Sequence, residues 1–100
     1  MERYRIRIYP AAVRDLEEIV GELNSRSPSS ALRCYDLLTE QVKSLALLPE
    51  LCPRPKDLAL RARGYRYLSV DDYLLLYCVC GDEVQLRRLM HMRSEYSGLL

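Results

Sequence analysis

The sequence has no tryptophan or phenylalanine, one histidine (His91), two lysines (Lys43 and Lys56) and only four glycines among 100 residues. Four glycines and five prolines are too few for a collagen-like or low-complexity chain. A charged fraction of 29%, nearly balanced at net +1, with 49% hydrophobic residues, excludes wholesale disorder. The longest apolar run, residues 73–80, is far short of the ~20 residues that span a bilayer. Residues 3–9 alternate basic and apolar side chains, unlike the continuous apolar stretch of a secretory signal. The expectation is a cytoplasmic protein with no membrane segment, folded as one domain over 1–100 and burying roughly 60–68% of its unfolded surface.

A CxxC spacing is also missing. Cys34 falls in a helical pattern, and Cys78 and Cys80 stand two apart in a strand pattern, so Cys34, Cys52, Cys78 and Cys80 outline neither a disulfide framework nor a zinc site. They read as free thiols used as small hydrophobes in a reducing compartment, and no metal or cofactor is implied. Eight tyrosines supply all the aromatic rings. Each combines an apolar body with a polar tip, which suits the edge of a core or the wall of a site.

In residues 3–9, Tyr4, Ile6 and Ile8 alternate with Arg3, Arg5 and Arg7, which predicts a strand with one buried face and a row of guanidinium groups on the other. Pro10 opens a helix in which Val13, Leu16, Ile19, Val20 and Leu23 form the inner stripe, with Asp15, Glu17, Glu18 and Glu22 outside. Ser27 and Pro28 start a second helix, whose stripe of Ala31, Cys34, Tyr35, Leu38, Val42, Leu45 and Leu48 ends at Pro49. A link of about three residues between them makes an antiparallel helical hairpin. Residues 49–63 carry three prolines and four basic residues and read as a long connection pinned by Leu58 and Leu60. From Gly64 onward, three strands (64–70, 73–80 and 84–93) are separated by Asp71-Asp72 and Gly81-Asp82 turns. The fold class is therefore α+β: an N-terminal strand, a helical hairpin and a three-stranded antiparallel meander, with the helices on one sheet face and residues 73–80 as a central strand.

Charge is unevenly spread. Residues 1–14 hold four arginines against one glutamate, and residues 54–66 hold five basic residues against one aspartate, whereas 15–50 net −4. A basic face of this kind serves phosphate binding or ordinary surface ion pairing, and pattern alone does not choose.

The opening Ile8-Tyr9-Pro10-Ala11 with Asp15, Leu16 and Ile19 resembles the start of RelE/ParE-superfamily toxins of type II toxin–antitoxin modules. Ser44, Leu45 and Pro49 are similar to a second family signature. Gly64-Tyr65-Arg66 with Val70, Tyr73 and Tyr77, and then His91-Met92-Arg93-Ser94-Glu95-Tyr96, resemble the later strands and tail. The resemblance covers essentially the whole chain and implies a partner antitoxin. It also implies one of two activities: a metal-independent endoribonuclease acting on mRNA, commonly at the ribosome, or a non-catalytic inhibitor of DNA gyrase. A toxin that only binds its antitoxin is the third reading.

RNA cleavage through the 2′-hydroxyl needs one proton removed, another donated, and charge on the phosphorane stabilised. The resemblance implies Arg66 as the phosphate stabiliser, a role suited to a permanently charged fork. It implies His91 or Tyr96 in proton transfer, with a half-buried structural role as the competing reading for His91 and stacking on a base for Tyr96. In a regular strand His91 shares a face with Arg87, Leu89 and Arg93. Arg93, Arg87, Lys56 and Arg54 are the candidate phosphate contacts, each equally explained as surface charge. Net charge of only +1, and the lack of a lysine pair that the resemblance implies for catalysis, pull toward the gyrase alternative or an attenuated toxin, since extensive RNA contact depends on many cations. Arg66 with His91 and Tyr96 pulls the other way, and the expected activity is the endoribonuclease, with gyrase inhibition as the alternative.

Overall fold

A computed structural model describes residues 3–47 and 49–92. Strand β1 (Arg5–Ile8) leads into helices α1 (Pro10–Arg26) and α2 (Pro28–Ser44), then a 3-10 turn (Pro49–Leu51) and a short helix α3 (Leu58–Ala62). Strands β2 (Tyr65–Val70), β3 (Tyr73–Cys80) and β4 (Glu83–His91) complete the fold. The sheet order is β1-β4-β3-β2, with β1 parallel to β4 and the other pairs antiparallel. The expected α+β arrangement is present, and β3 is an interior strand.

The helices are joined more tightly than expected: only Ser27 separates them. Ser25 Oγ donates to the Glu22 carbonyl and Arg26 pairs with Glu22 one turn back, so the polar segment continues the helix instead of ending it. Ser27 then caps α2 by accepting from the Ser30 N–H at 3.4 Å, ahead of Pro28 in the first turn. The α2 helix stops at Ser44, short of the expected end near Leu48. Two-residue turns close both hairpins, with Asp71 (φ 52°) and Gly81 (φ 60°) in the left-handed region that such turns require.

The hairpin's inner stripe (Ala12, Leu38, Val42 and Leu45) packs on Val70, Leu75, Tyr77, Val84, Leu86 and Leu89. A second, smaller core lies on the opposite sheet face, where Leu60 of α3 covers Tyr65, Leu74, Leu76 and Met90. This explains why β3 is apolar on both faces: the segment expected to be a plain connection supplies a partial roof. Part of that face remains open, and this opening positions the site.

Asp15 corrects the helical pattern. It was expected on the outer face, yet its carboxylate turns inward and accepts from Arg88 Nε (2.8 Å), Arg88 Nη2 (3.0 Å) and the Leu89 N–H (2.9 Å). The apolar stripe of α1 is narrow enough for a carboxylate at its border to reach β4. Among the described residues, no helix is long and apolar enough to cross a membrane.

Candidate functional site

Arg66 is the second residue of β2, on the helix-facing side, paired in register with Tyr77. It is half-buried, and its Nη1 donates to the Cys52 carbonyl at 2.9 Å. The neighbouring Tyr77 is fully buried, and its hydroxyl donates to the Pro49 carbonyl. Burial is the main reason its phenol titrates far above the ordinary range. The Tyr67 N–H adds a bond of 3.1 Å to the Pro53 carbonyl. Together these three contacts hold the proline-rich segment along the β2 edge. Arg66 is thus one of its anchors, and with Arg54 and Arg61 it also lines a polar crevice of about 370 Å³ that Glu50 borders. Two predicted residues, Arg66 and Arg54, are therefore brought together. Lys56 is exposed and lies outside that crevice.

His91 lies at the other end of the sheet. It pairs with Tyr73 across β3–β4, the two rings meeting edge-to-face at 5.7 Å. Since Arg66 is opposite Tyr77, four residues along β3 and two strands away, the two Cα atoms are about 16 Å apart by ordinary strand spacing. The structure does not bring Arg66 and His91 side by side. Arg93 and Tyr96 lie outside the described residues.

Arg87 corrects another expectation. The β3–β4 register runs Tyr77↔Leu86 and then Leu76↔Arg88, so Arg87 is the extra residue of a β-bulge. A regular strand would place it on the face of His91 and Leu89. The bulge instead turns it to the face away from the helical hairpin, where its Cζ is 4.3 Å from the Tyr9 ring centre and 5.9 Å from that of Tyr65. Arg7 covers Tyr9 at 5.0 Å, and Arg63 covers Tyr65 at 5.8 Å. The result is a ladder of alternating guanidinium and phenol groups: Arg7, Tyr9, Arg87, Tyr65, Arg63.

The row of guanidinium groups on β1 was legible in the sequence, but its union with Arg87 and Arg63 was not. The union needs the parallel β1–β4 pairing, which puts Arg7 opposite Gln85, and the bulge that turns Arg87. Cys78 lies opposite both Gln85 and Tyr65 on the neighbouring strands. Burial pushes its thiol up despite the opposing pull of Arg87 and Arg63, so it is a packed sulfur and not an activated nucleophile. Among the described residues, no cluster of three or more His, Cys, Asp or Glu can hold a metal.

The hairpin side carries a different feature. Ile6, Ile8, Val13, Leu16, Leu86 and Leu89 line an apolar groove of about 590 Å³ between α1, α2 and the edge strand β1. Ile8 (48%), Val13 (40%) and Tyr35 (46%) are unusually exposed for large hydrophobic side chains beside such a groove.

The chain is thus a small α+β domain, a mixed four-stranded sheet with a helical hairpin and an apolar groove on one face and clustered arginines on the other. The ParE toxin of type II toxin–antitoxin systems, described with the system name parDE, is the family whose profile matches residues 6–96, and the chain belongs to that family. The fold is similar to a structure of the chromosomal ParDE system of P. aeruginosa, with a TM-score of 0.78, 23% identity, and 90% of this chain and 97% of that one covered. It is also similar to the RelBE2 toxin–antitoxin complex of Mycobacterium tuberculosis, with a TM-score of 0.66, 20% identity, and 89% and 98% covered. No curated protein matches the sequence significantly.

Proposed function

We propose that this member of the ParE family is a cytoplasmic toxin that acts by binding DNA gyrase, without RNA cleavage, and is neutralised by a cognate antitoxin. The observation that carries the reading is the separation of Arg66 from His91, with the Arg66 guanidinium tied to the Cys52 carbonyl. In the RNA-cleavage reading the phosphate stabiliser and the proton-transfer group act on one phosphate, so Arg66 and His91 would both have to reach it. The family match and the low net charge support the same reading. The antitoxin's place is the apolar groove: an amphipathic helix or strand laid across Ile8 and Val13 covers their exposed surface, and the free side of β1 accepts an added strand.

Two assays on the induced and purified toxin test this. The expected result is inhibited DNA supercoiling with unchanged mRNA ends. New mRNA ends with normal supercoiling overturn it. Val13→Asp is expected to weaken antitoxin binding at least tenfold in a calorimetric titration while leaving the fold intact, because it places a charge in the groove wall. The endoribonuclease reading keeps one specific support, the crevice of Arg54, Arg61 and Arg66, where three guanidinium groups can meet a phosphate.

A further inference from the structure

The ladder on the open sheet face has no role in the antitoxin groove or in the Arg66 crevice. Among the described residues the ion pairs are Arg5–Asp82, Arg26–Glu22 and Arg88–Asp15, and none engages Arg7, Arg63 or Arg87. Three cations in succession along one face repel one another, and the tyrosine rings between them offset only part of that repulsion. Each guanidinium is a planar fork that matches a carboxylate, and the ion pairs of the described residues supply none to these three.

We propose that this face, centred on Arg87 and Arg7, is the surface with which the toxin grips an acidic segment of the protein it inhibits. The inference rests on the gyrase reading and deepens it by naming the contact surface and the chemistry of the partner. Arginine is among the side chains that dominate binding hot spots. A single-stranded nucleic acid fits less well. Tyr65 is only 2% exposed, and both rings already carry a guanidinium over a face, so the ladder offers no free aromatic platform for base stacking.

Strand β1 links the two surfaces of the molecule. Ile6 and Ile8 face the groove, while Arg5 and Arg7 alternate to the opposite side. A variant of the cationic face can therefore be separated from antitoxin binding. Arg87→Glu, Arg87→Gln and Arg7→Glu are compared with wild type and with Arg14→Glu, an equal charge change on exposed α1 surface. Circular dichroism checks folding, and Arg87→Gln serves if charge reversal at the bulge prevents it.

The readouts are the toxin concentration that half-inhibits gyrase supercoiling, antitoxin affinity, and binding of a fluorescent single-stranded RNA oligonucleotide. The expected result is at least a tenfold higher inhibitory concentration for the ladder variants, with Arg14→Glu within twofold and antitoxin affinity within threefold. Inhibition by wild type should weaken as salt rises. Ladder variants that inhibit as wild type does overturn the surface assignment and leave the gyrase reading standing. Tight RNA binding by wild type that Arg87→Glu abolishes overturns the choice of an acidic protein. Wild-type toxin that never inhibits gyrase overturns both readings.

Discussion

Replacing Asp15 with alanine tests the link between the helical hairpin and the sheet. The carboxylate accepts three hydrogen bonds from β4, two from the Arg88 guanidinium and one from the Leu89 backbone. The side chains of Arg88 and Asp15 are 21% and 13% exposed, so solvent screens the pair only partly. Past the end of β1, which pairs with β4 no farther than Leu86, the Leu89 N–H has no strand neighbour on that side among the described residues. Asp15 therefore stands in for a missing strand. A single hydrogen bond to a charged group is worth about 1.5–3 kcal/mol, and breaking a fully buried pair costs about 3–5 kcal/mol. Asp15→Ala should cost about 2–4 kcal/mol, which lowers the melting temperature of a domain this size by roughly 10–25 °C. Asp15→Asn retains an acceptor for Leu89 and should lose about half as much. The assay is urea unfolding followed by circular dichroism, with the midpoint falling at constant slope. A change below about 0.5 kcal/mol for Asp15→Ala, the size expected of a solvated helix position, would refute the reasoning.

Alkaline unfolding should begin as pH rises through about 10. Burial holds the Tyr77 phenol protonated in the fold, whereas the unfolded chain releases that proton, so stability is full below the unfolded value and is lost as pH rises above it. Tyr77→Phe should reduce this alkaline slope in a pH series of melts, and at neutral pH should cost about 1–3 kcal/mol for the unsatisfied Pro49 carbonyl. An unchanged alkaline slope would count against the assignment. Arg66→Ala should cost about 1–2 kcal/mol through the lost Cys52 contact and speed proteolysis between Pro53 and Asp57. If growth arrest instead disappears with stability and proteolysis unchanged, Arg66 serves chemistry and the anchoring role fails.

Much of this molecule was legible from local pattern. Period-two alternation set β1, the spacing of Leu16, Ile19, Leu38 and Val42 set the hairpin, and the Asp71-Asp72 and Gly81-Asp82 turns set the meander. These signals depend on near neighbours along the chain, and backbone geometry converts them directly into a buried face. The single-residue joint at Ser27 was less legible, because side-chain bonds to helix carbonyls extended α1 past the expected break. Helix α3 was missed because five residues carry too little periodicity to announce a helix. Its reason for forming is the Asp57 cap on the Leu60 N–H together with Leu60 seated on β2 and β3.

The residues that bear on function divide along the same line. Order along the chain determined an α+β domain, and the resemblance of its motifs to the toxin superfamily implied the toxin role and singled out Arg66, beside the candidate cations Arg54 and Arg87. Only the tertiary structure decided which of them meet. A one-residue bulge turned Arg87 away from His91, and the strand order set Arg66 about 16 Å from that histidine, judged by strand spacing. Parallel pairing then brought Arg7, from the first strand, beside Arg87 on the last. Register and pairing between distant segments are not written in any local window. They follow from which apolar faces pack together, and a shift of one residue reverses the face to which every following side chain points.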